Sequence, residues 1–241
     1  MRISEIFRRM LMTKKCLACG EVISYDIKAP FCEDCLEQWQ QFIKMKCHRC
    51  GHTRTECTCL PSQIREISKH GAVWCVFYDA KSNLPLNNLV FKLKRDYNRD
   101  IIEFCATEIV KNLKSLCLRH GIDYKDYLIT YTPRRVSGKR KYGFDHSKRM
   151  AIEISKLLGI KTIKTLINVG TAEQKTLSKE KRKENAKQSY ELSKNASVSG
   201  KKLFIVDDII TSGSTMKACA DLLYQSGATD IIPLAFAKDN R

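Results

Sequence analysis

Leu203-Phe204-Ile205-Val206-Asp207-Asp208-Ile209-Ile210-Thr211-Ser212-Gly213-Ser214-Thr215 is the stretch on which the fold of this chain turns. Residues 203–206 are apolar without interruption, the pattern of a central parallel strand buried on both faces. Two carboxylates end the run, a turn of small hydroxylated residues surrounds Gly213, and residues 215–226 then read as an amphipathic helix closed by Gly227.

In an open α/β sheet, ligands sit beyond the carboxyl ends of the strands, where this turn must lie. A helix N-terminus there offers unpaired N–H groups and partial positive charge, both suited to a phosphate. Gly213 lets the backbone approach that group, and Thr211, Ser212, Ser214 and Thr215 add hydroxyl donors. Asp207 and Asp208 can accept from the vicinal hydroxyls of a ribose, and one of them can meet a metal ion or its water. The plainer alternative is a capped strand-to-helix turn with acids on the surface. Adjacent carboxylates next to a core are costly unless something uses them, which favours the ligand site. The GxxxxGK[ST] spacing of a Walker loop is absent.

Outward from the turn, residues 231–237 supply a closing strand. Upstream, residues 72–78 read as a strand and 87–94 as a short helix. A longer helix over residues 100–119 carries Ile102, Ala106, Ile109, Val110, Leu113 and Leu116 on one side and is followed by Gly121. Residues 127–131 form a buried strand stopped by Thr132 and Pro133, residues 147–158 a helix ended by Gly159, and residues 161–169 another strand. Strand alternating with helix predicts an α/β fold, a parallel sheet with helices on both faces.

The head of the chain has another character. Eight of the twelve cysteines fall in four pairs: Cys16 and Cys19, Cys32 and Cys35, Cys47 and Cys50, Cys57 and Cys59. Glycine follows the first and third pairs, the knuckle of a zinc ribbon, in which a tight turn brings two thiolates to one metal. Pairing in chain order gives two four-sulfur Zn2+ sites, Cys16, Cys19, Cys32 and Cys35 around one and Cys47, Cys50, Cys57 and Cys59 around the other; an interleaved pairing, first pair with third, is the alternative. Such closed sites hold structure together and do not activate water. His48 and His52 are read as bystanders, and Cys75, Cys105, Cys117 and Cys219 as core residues. Cysteine density collapses after Pro61, which sets a boundary between a head, residues 1–65, and a main domain, residues 66–241.

The bulk numbers agree with a folded chain: 241 residues, 43% hydrophobic and 29% charged. With no run of about 18 apolar residues and no clean signal-peptide core, the expected location is cytoplasmic, without membrane contact. A net charge of +17 points to polyanionic partners or to a solvated basic surface, and charge alone does not separate the two.

With these motifs in place, the chain resembles the ComF family nearly end to end. That family joins a double zinc ribbon to a type I phosphoribosyltransferase domain and is associated with DNA uptake in natural transformation. Residues 206–215 resemble the phosphoribosyltransferase signature, which implies that Asp207 and Asp208 bind the sugar and that Ile210, Thr211, Ser212, Gly213, Ser214 and Thr215 bind the 5-phosphate of phosphoribosyl pyrophosphate (PRPP), with Mg2+ on its pyrophosphate. Phe91-Lys92-Leu93-Lys94-Arg95-Asp96 and Thr132-Pro133-Arg134-Arg135 through Gly143-Phe144 resemble two further family elements, and by that match Lys92 and Arg134 hold the leaving pyrophosphate. Gln174, Leu177, Arg182 and Asn185 match a segment that covers the substrate in related transferases. Arg95, Tyr142, Asp145 and His146 depart from the family pattern. Residues 134–149 hold seven Lys/Arg against one acid, a cluster suited to pyrophosphate oxygens or a nucleic-acid backbone.

Two functions follow as expectations. One is an enzyme in which a nucleophile attacks the anomeric carbon of PRPP as pyrophosphate leaves, by positioning and electrostatics. The other is a non-catalytic module that senses a phosphosugar or binds single-stranded DNA, while the zinc head docks a DNA-uptake helicase or recombination protein. No base-recognition hood is legible.

Overall fold

The computed structural model describes residues 14–23, 30–79, 87–95, 97–170 and 189–240. Asp96 and the segment with Gln174, Leu177, Arg182 and Asn185 lie outside them. In chain order the elements are β1 (Lys14–Lys15), β2 (Val22–Ile23), α1 (Glu33–Ile43), α2 (Ser62–Arg65), β3 (Val76–Tyr78), α3 (Asn87–Arg95), α4 (Arg99–His120), β4 (Tyr127–Tyr131), α5 (Val136–Tyr142), α6 (His146–Leu158), β5 (Leu166–Asn168), β6 (Tyr190–Leu192), β7 (Lys202–Ile210), α7 (Ser214–Gln225) and β8 (Asp230–Asp239). Among the described residues no helix is long and apolar enough to cross a membrane.

The central sheet has the order β3-β8-β7-β4, with every neighbouring pair parallel. Alternation along β7 divides the core. Phe204 and Val206 join the cluster under α4 and α6, while Leu203 and Ile205 join the one under α7. The sheet is therefore covered on both faces, as the sequence pattern predicts.

Local chemistry fixes the main helices. Asn98 caps α4 by accepting from the N–H groups of Asp100 and Ile101, and Gly121, with φ 62°, ends it in the left-handed conformation. All six apolar residues expected on one side of α4 are buried. Cys75, Cys105, Cys117 and Cys219 are buried too, as core packing requires.

Three local expectations are corrected. β7 does not stop at Asp207 but stays paired with β8 through Ile210, with Ile209 opposite Ala237 and Ile210 opposite Lys238. The single strand expected over residues 161–169 is two pieces. Thr162 bridges to the outer edge of β4, whereas β5 leaves the main sheet and pairs with β6 in an antiparallel hairpin. The basic stretch after Pro133 contains α5, which its many cations concealed in the sequence.

Beyond β4 the chain runs outward, to residues 161–163, while beyond β7 it runs inward through α7 to β8. The two excursions diverge. A crevice between the carboxyl ends of β4 and β7 results, the place where open α/β sheets bind ligands.

The cysteine-rich head packs on this domain through a shared core. Trp39 of α1 stacks on Phe236 of β8, with ring centroids 6.4 Å apart, and meets Phe104 of α4 edge-on at 5.1 Å. The same apolar cluster contains Cys16, Leu17, Phe31 and Cys35 from the head.

Candidate functional site

Asp207 and Asp208 follow the fully buried run 203–206 of β7, and both meet the start of α6. Asp207 Oδ1 accepts from Ser147 Oγ at 3.1 Å and from the Asp208 N–H at 2.9 Å. Ser147 lies on the first turn of α6, and Thr132, just beyond β4, reaches Ser147 Oγ and the Val206 carbonyl. The loops after β4 and β7 are thereby tied together across the crevice.

Asp208, 4% exposed, faces cations. Its Oδ2 is 3.0 Å from His146 Nε2 and 3.3 Å from Lys94 Nζ. Burial would raise its carboxyl, but the His146 ring and then the Lys94 ammonium hold it below the ordinary carboxylate value. Asp207 goes the other way: burial, and next the charge of Asp208, raise it to about 6. His146, Asp207 and Asp208 each offer one ligand atom within 4.8 Å of the others, a donor set able to hold a cation. His146 Nδ1 is buried and has no hydrogen-bond partner among the described residues.

The turn that follows is built around Gly213, whose φ of 80° favours glycine. A Cβ there would also stand 2.7 Å from Ile64 Cγ1, so α2 fills the space a side chain would need. Ser212 and Ser214 share a hydroxyl–hydroxyl bond of 2.9 Å, and Ser214 Oγ donates to Gln63 Oε1 at 2.9 Å. Thr211 and Ser212 are exposed at the start of α7, and Thr215 meets the Tyr190 phenol. These residues surround one helix N-terminus, as their spacing implies.

The two cations assigned to the pyrophosphate fare differently. Lys92 Nζ donates to the carbonyls of Leu17 and Ala18 in the first cysteine cluster, at 3.2 and 2.8 Å. Its position on α3 points it toward the head, and Lys94 is the lysine of that helix that reaches Asp208. Arg134 stays beside the crevice. Its backbone N–H donates to Asp145 Oδ2 at 3.1 Å, and its guanidinium lies 4.3 Å from the centre of the Tyr142 ring.

Lys94, Ser147, Gln63 and Ile64 carried no signal in the sequence, since they arrive at the turn from other elements. His146 had one: it departs from the family pattern at the start of α6.

The eight head cysteines form two groups in chain order, Cys16, Cys19, Cys32 and Cys35, then Cys47, Cys50, Cys57 and Cys59, each with its sulfurs within 4.8 Å of one another. The interleaved pairing falls away. Both knuckles have one design: Gly20 N–H donates to the Cys16 carbonyl and Gly51 N–H to the Cys47 carbonyl, at 2.9 and 2.8 Å. Burial opposes ionisation of Cys16, but the backbone N–H groups of Cys32, Cys19 and Ala18 outweigh it and bring the thiol to about 6. His52 acts on Cys50 in the same direction, again to about 6. Each group has the four-sulfur donor set that suits a zinc ion.

Residues 142–241 match the family described as phosphoribosyl transferase domain. That match, the parallel sheet and the acid pair at its carboxyl edge define a fold of the phosphoribosyltransferase type with a cysteine-rich head. Curated proteins named DNA utilization protein YhgH are similar to it. The one from Salmonella typhimurium is 29% identical over 149 residues, 61% of this chain and 64% of that protein, and the one from Escherichia coli strain K12 is 26% identical over the same shares. The match thus spans just under two thirds of the relatives' length. These relatives and the matched domain agree with the resemblance to the ComF family drawn from the sequence. Solved structures align more loosely. A hypoxanthine phosphoribosyltransferase from Staphylococcus aureus is 14% identical with a TM-score of 0.37, covering 66% of this chain and 73% of that one. The allosteric regulatory enzyme of purine biosynthesis is 17% identical with a TM-score of 0.39, covering 61% and 30%.

Proposed function

We propose that the chain binds PRPP with Mg2+ at the carboxyl ends of β4 and β7, in a protein divided into a zinc-binding head, residues 1–65, and a transferase-type domain, residues 66–241. The observation that carries this reading is the acid pair Asp207–Asp208 followed directly by a glycine turn that opens α7. Asp207 and Asp208 take the two ribose hydroxyls, and the backbone and hydroxyls of residues 210–215 take the 5-phosphate. Arg134 faces the pyrophosphate, with Lys94 in the place first assigned to Lys92. Mg2+ supplies neutralisation of the pyrophosphate as it leaves. The chain's own part is to orient the sugar and shield its developing positive charge with two carboxylates.

Calorimetry of PRPP with Mg2+ against the wild type and Asp207→Asn/Asp208→Asn tests this. Binding to the wild type and loss of about tenfold or more in the variant is expected, from two charge-assisted hydrogen bonds. No binding to the wild type, or equal binding to both, sinks the proposal. A pyrophosphate-release assay over a panel of bases and amines then asks whether the bound sugar is transferred.

A second reading has its own support. α3 places Lys92 on the carbonyls of the first cysteine cluster and Lys94 on Asp208, so sugar occupancy and head position share one helix. A phosphosugar sensor acting in DNA utilization, the word in the relatives' name, would use such a link, with the head offered to single-stranded DNA or to an uptake helicase.

A further inference from the structure

At the opposite, amino edge of the sheet lies an open-mouthed cavity of about 530 Å3 lined by the second cysteine cluster, the strand entering β3 and the last turns of α4. It is not part of the crevice. A neighbouring cavity shares His70 and His120 with it and is lined by Tyr127, Lys202 and Asp230, the first residues of β4, β7 and β8.

The walls carry an excess of donors. Arg54 is half-buried and its Nη1 donates to the Trp74 carbonyl at 3.3 Å. Arg119 enters from α4. Among the described residues neither guanidinium has a carboxylate within ion-pair distance; Asp230 is taken by His70, 3.5 Å away, and by the Tyr127 hydroxyl. Glu56, the one acid on the wall, accepts from Thr53 Oγ1. Burial, and then the charge of Arg119, hold Arg54 below the ordinary arginine value. The His120 ring packs edge-on against His70. Trp74 is 6% exposed, and its indole N–H is buried with no acceptor among the described residues.

Arg54 and Arg119 both line the cavity, and among the described residues no carboxylate answers either charge, so the space beside them favours an anion. We propose that this cavity is a second ligand site, for a small molecule bearing a phosphate group, held by Arg54 and Arg119 with the imidazoles of His70 and His120 at its rim. The planar forks of two arginines match phosphate oxygens, and the volume is that of a small-molecule pocket. Arg54 and Arg119 are the only Lys or Arg among its lining residues, too few cations to follow a nucleic-acid backbone, which favours a compact anion.

Crystals of the full chain soaked in sodium tungstate give the direct test. An anomalous peak between Arg54 and Arg119, besides any peak at residues 211–215, is expected; tungstate at the turn alone overturns the proposal. In solution, phosphate and adenosine monophosphate are titrated into wild type, Arg119→Gln and Asp207→Asn/Asp208→Asn. Arg119 is exposed, so Arg119→Gln keeps the fold, which zinc content and melting temperature verify. It should weaken one class of phosphate sites about tenfold, the cost of one charge-assisted contact, while the Asp pair variant leaves that class intact. Equal phosphate binding by wild type and Arg119→Gln overturns the site. So does an oligothymidylate that binds in an Arg119-dependent way while phosphate and adenosine monophosphate do not.

Discussion

Burial and the charge of Asp208 raise Asp207 to about 6, while His146 and Lys94 keep its neighbour ionised. Between about pH 4 and pH 6 the folded chain therefore holds the Asp207 proton that the unfolded chain releases. The stability contributed by that carboxyl is present below this window and lost as pH rises through it. Asp207→Asn, which keeps an acceptor for Ser147, should stabilise the fold near pH 7 by on the order of 2 kcal/mol, raising the melting temperature there, and change it little near pH 4. Scanning calorimetry at the two pH values checks this, and a variant less stable near pH 7 contradicts the charge assignment. The acids themselves were legible because a buried strand and its terminal carboxylates are one local pattern. Their partnership with other side chains was not, since Lys94 reaches them from α3 and His146 and Ser147 from α6, two helices that only tertiary packing brings to the strand end.

The turn and helix that follow β7 depend on an element far upstream. α2 is four residues long, yet its Ile64 fills the space over Gly213 and its Gln63 takes the Ser214 hydroxyl. Gly213→Ala should cost about 2 to 4 kcal/mol, from the positive φ and from overlap with Ile64. Urea unfolding measures it, and Ile64→Ala in the same chain should recover the overlap but not the φ cost. If the two substitutions add without coupling, α2 is not what shapes the turn. The sequence pointed to this glycine for close approach to a phosphate and said nothing of Ile64, because a one-turn helix has too few residues to show a period. The 161–169 stretch was misread for a related reason: alternation describes a strand without naming the sheet it joins, and β5 joins a hairpin instead.

Across the whole molecule, the head and the domain share one apolar cluster, so the cysteine clusters and the sheet are expected to lose order together. Stripping zinc with a strong chelator under reducing conditions should lower the melting temperature and release about two zinc ions per chain, read by a colorimetric zinc indicator. A chelated chain that melts like the untreated one would show that the knuckles are held without metal. The cysteine pairs were legible from spacing and their grouping from chain order, while the choice against the interleaved alternative came only with the structure, because spacing does not say which knuckle faces which. The seam itself offers a means of watching this happen. The chain has two tryptophans, Trp39 stacked on Phe236 and Trp74 in the wall of the amino-edge cavity, and each lies where head meets sheet. Its ultraviolet emission is therefore an intrinsic gauge of undocking: blue and steady while the halves are joined, shifting red as water reaches the indoles, with no dye attached.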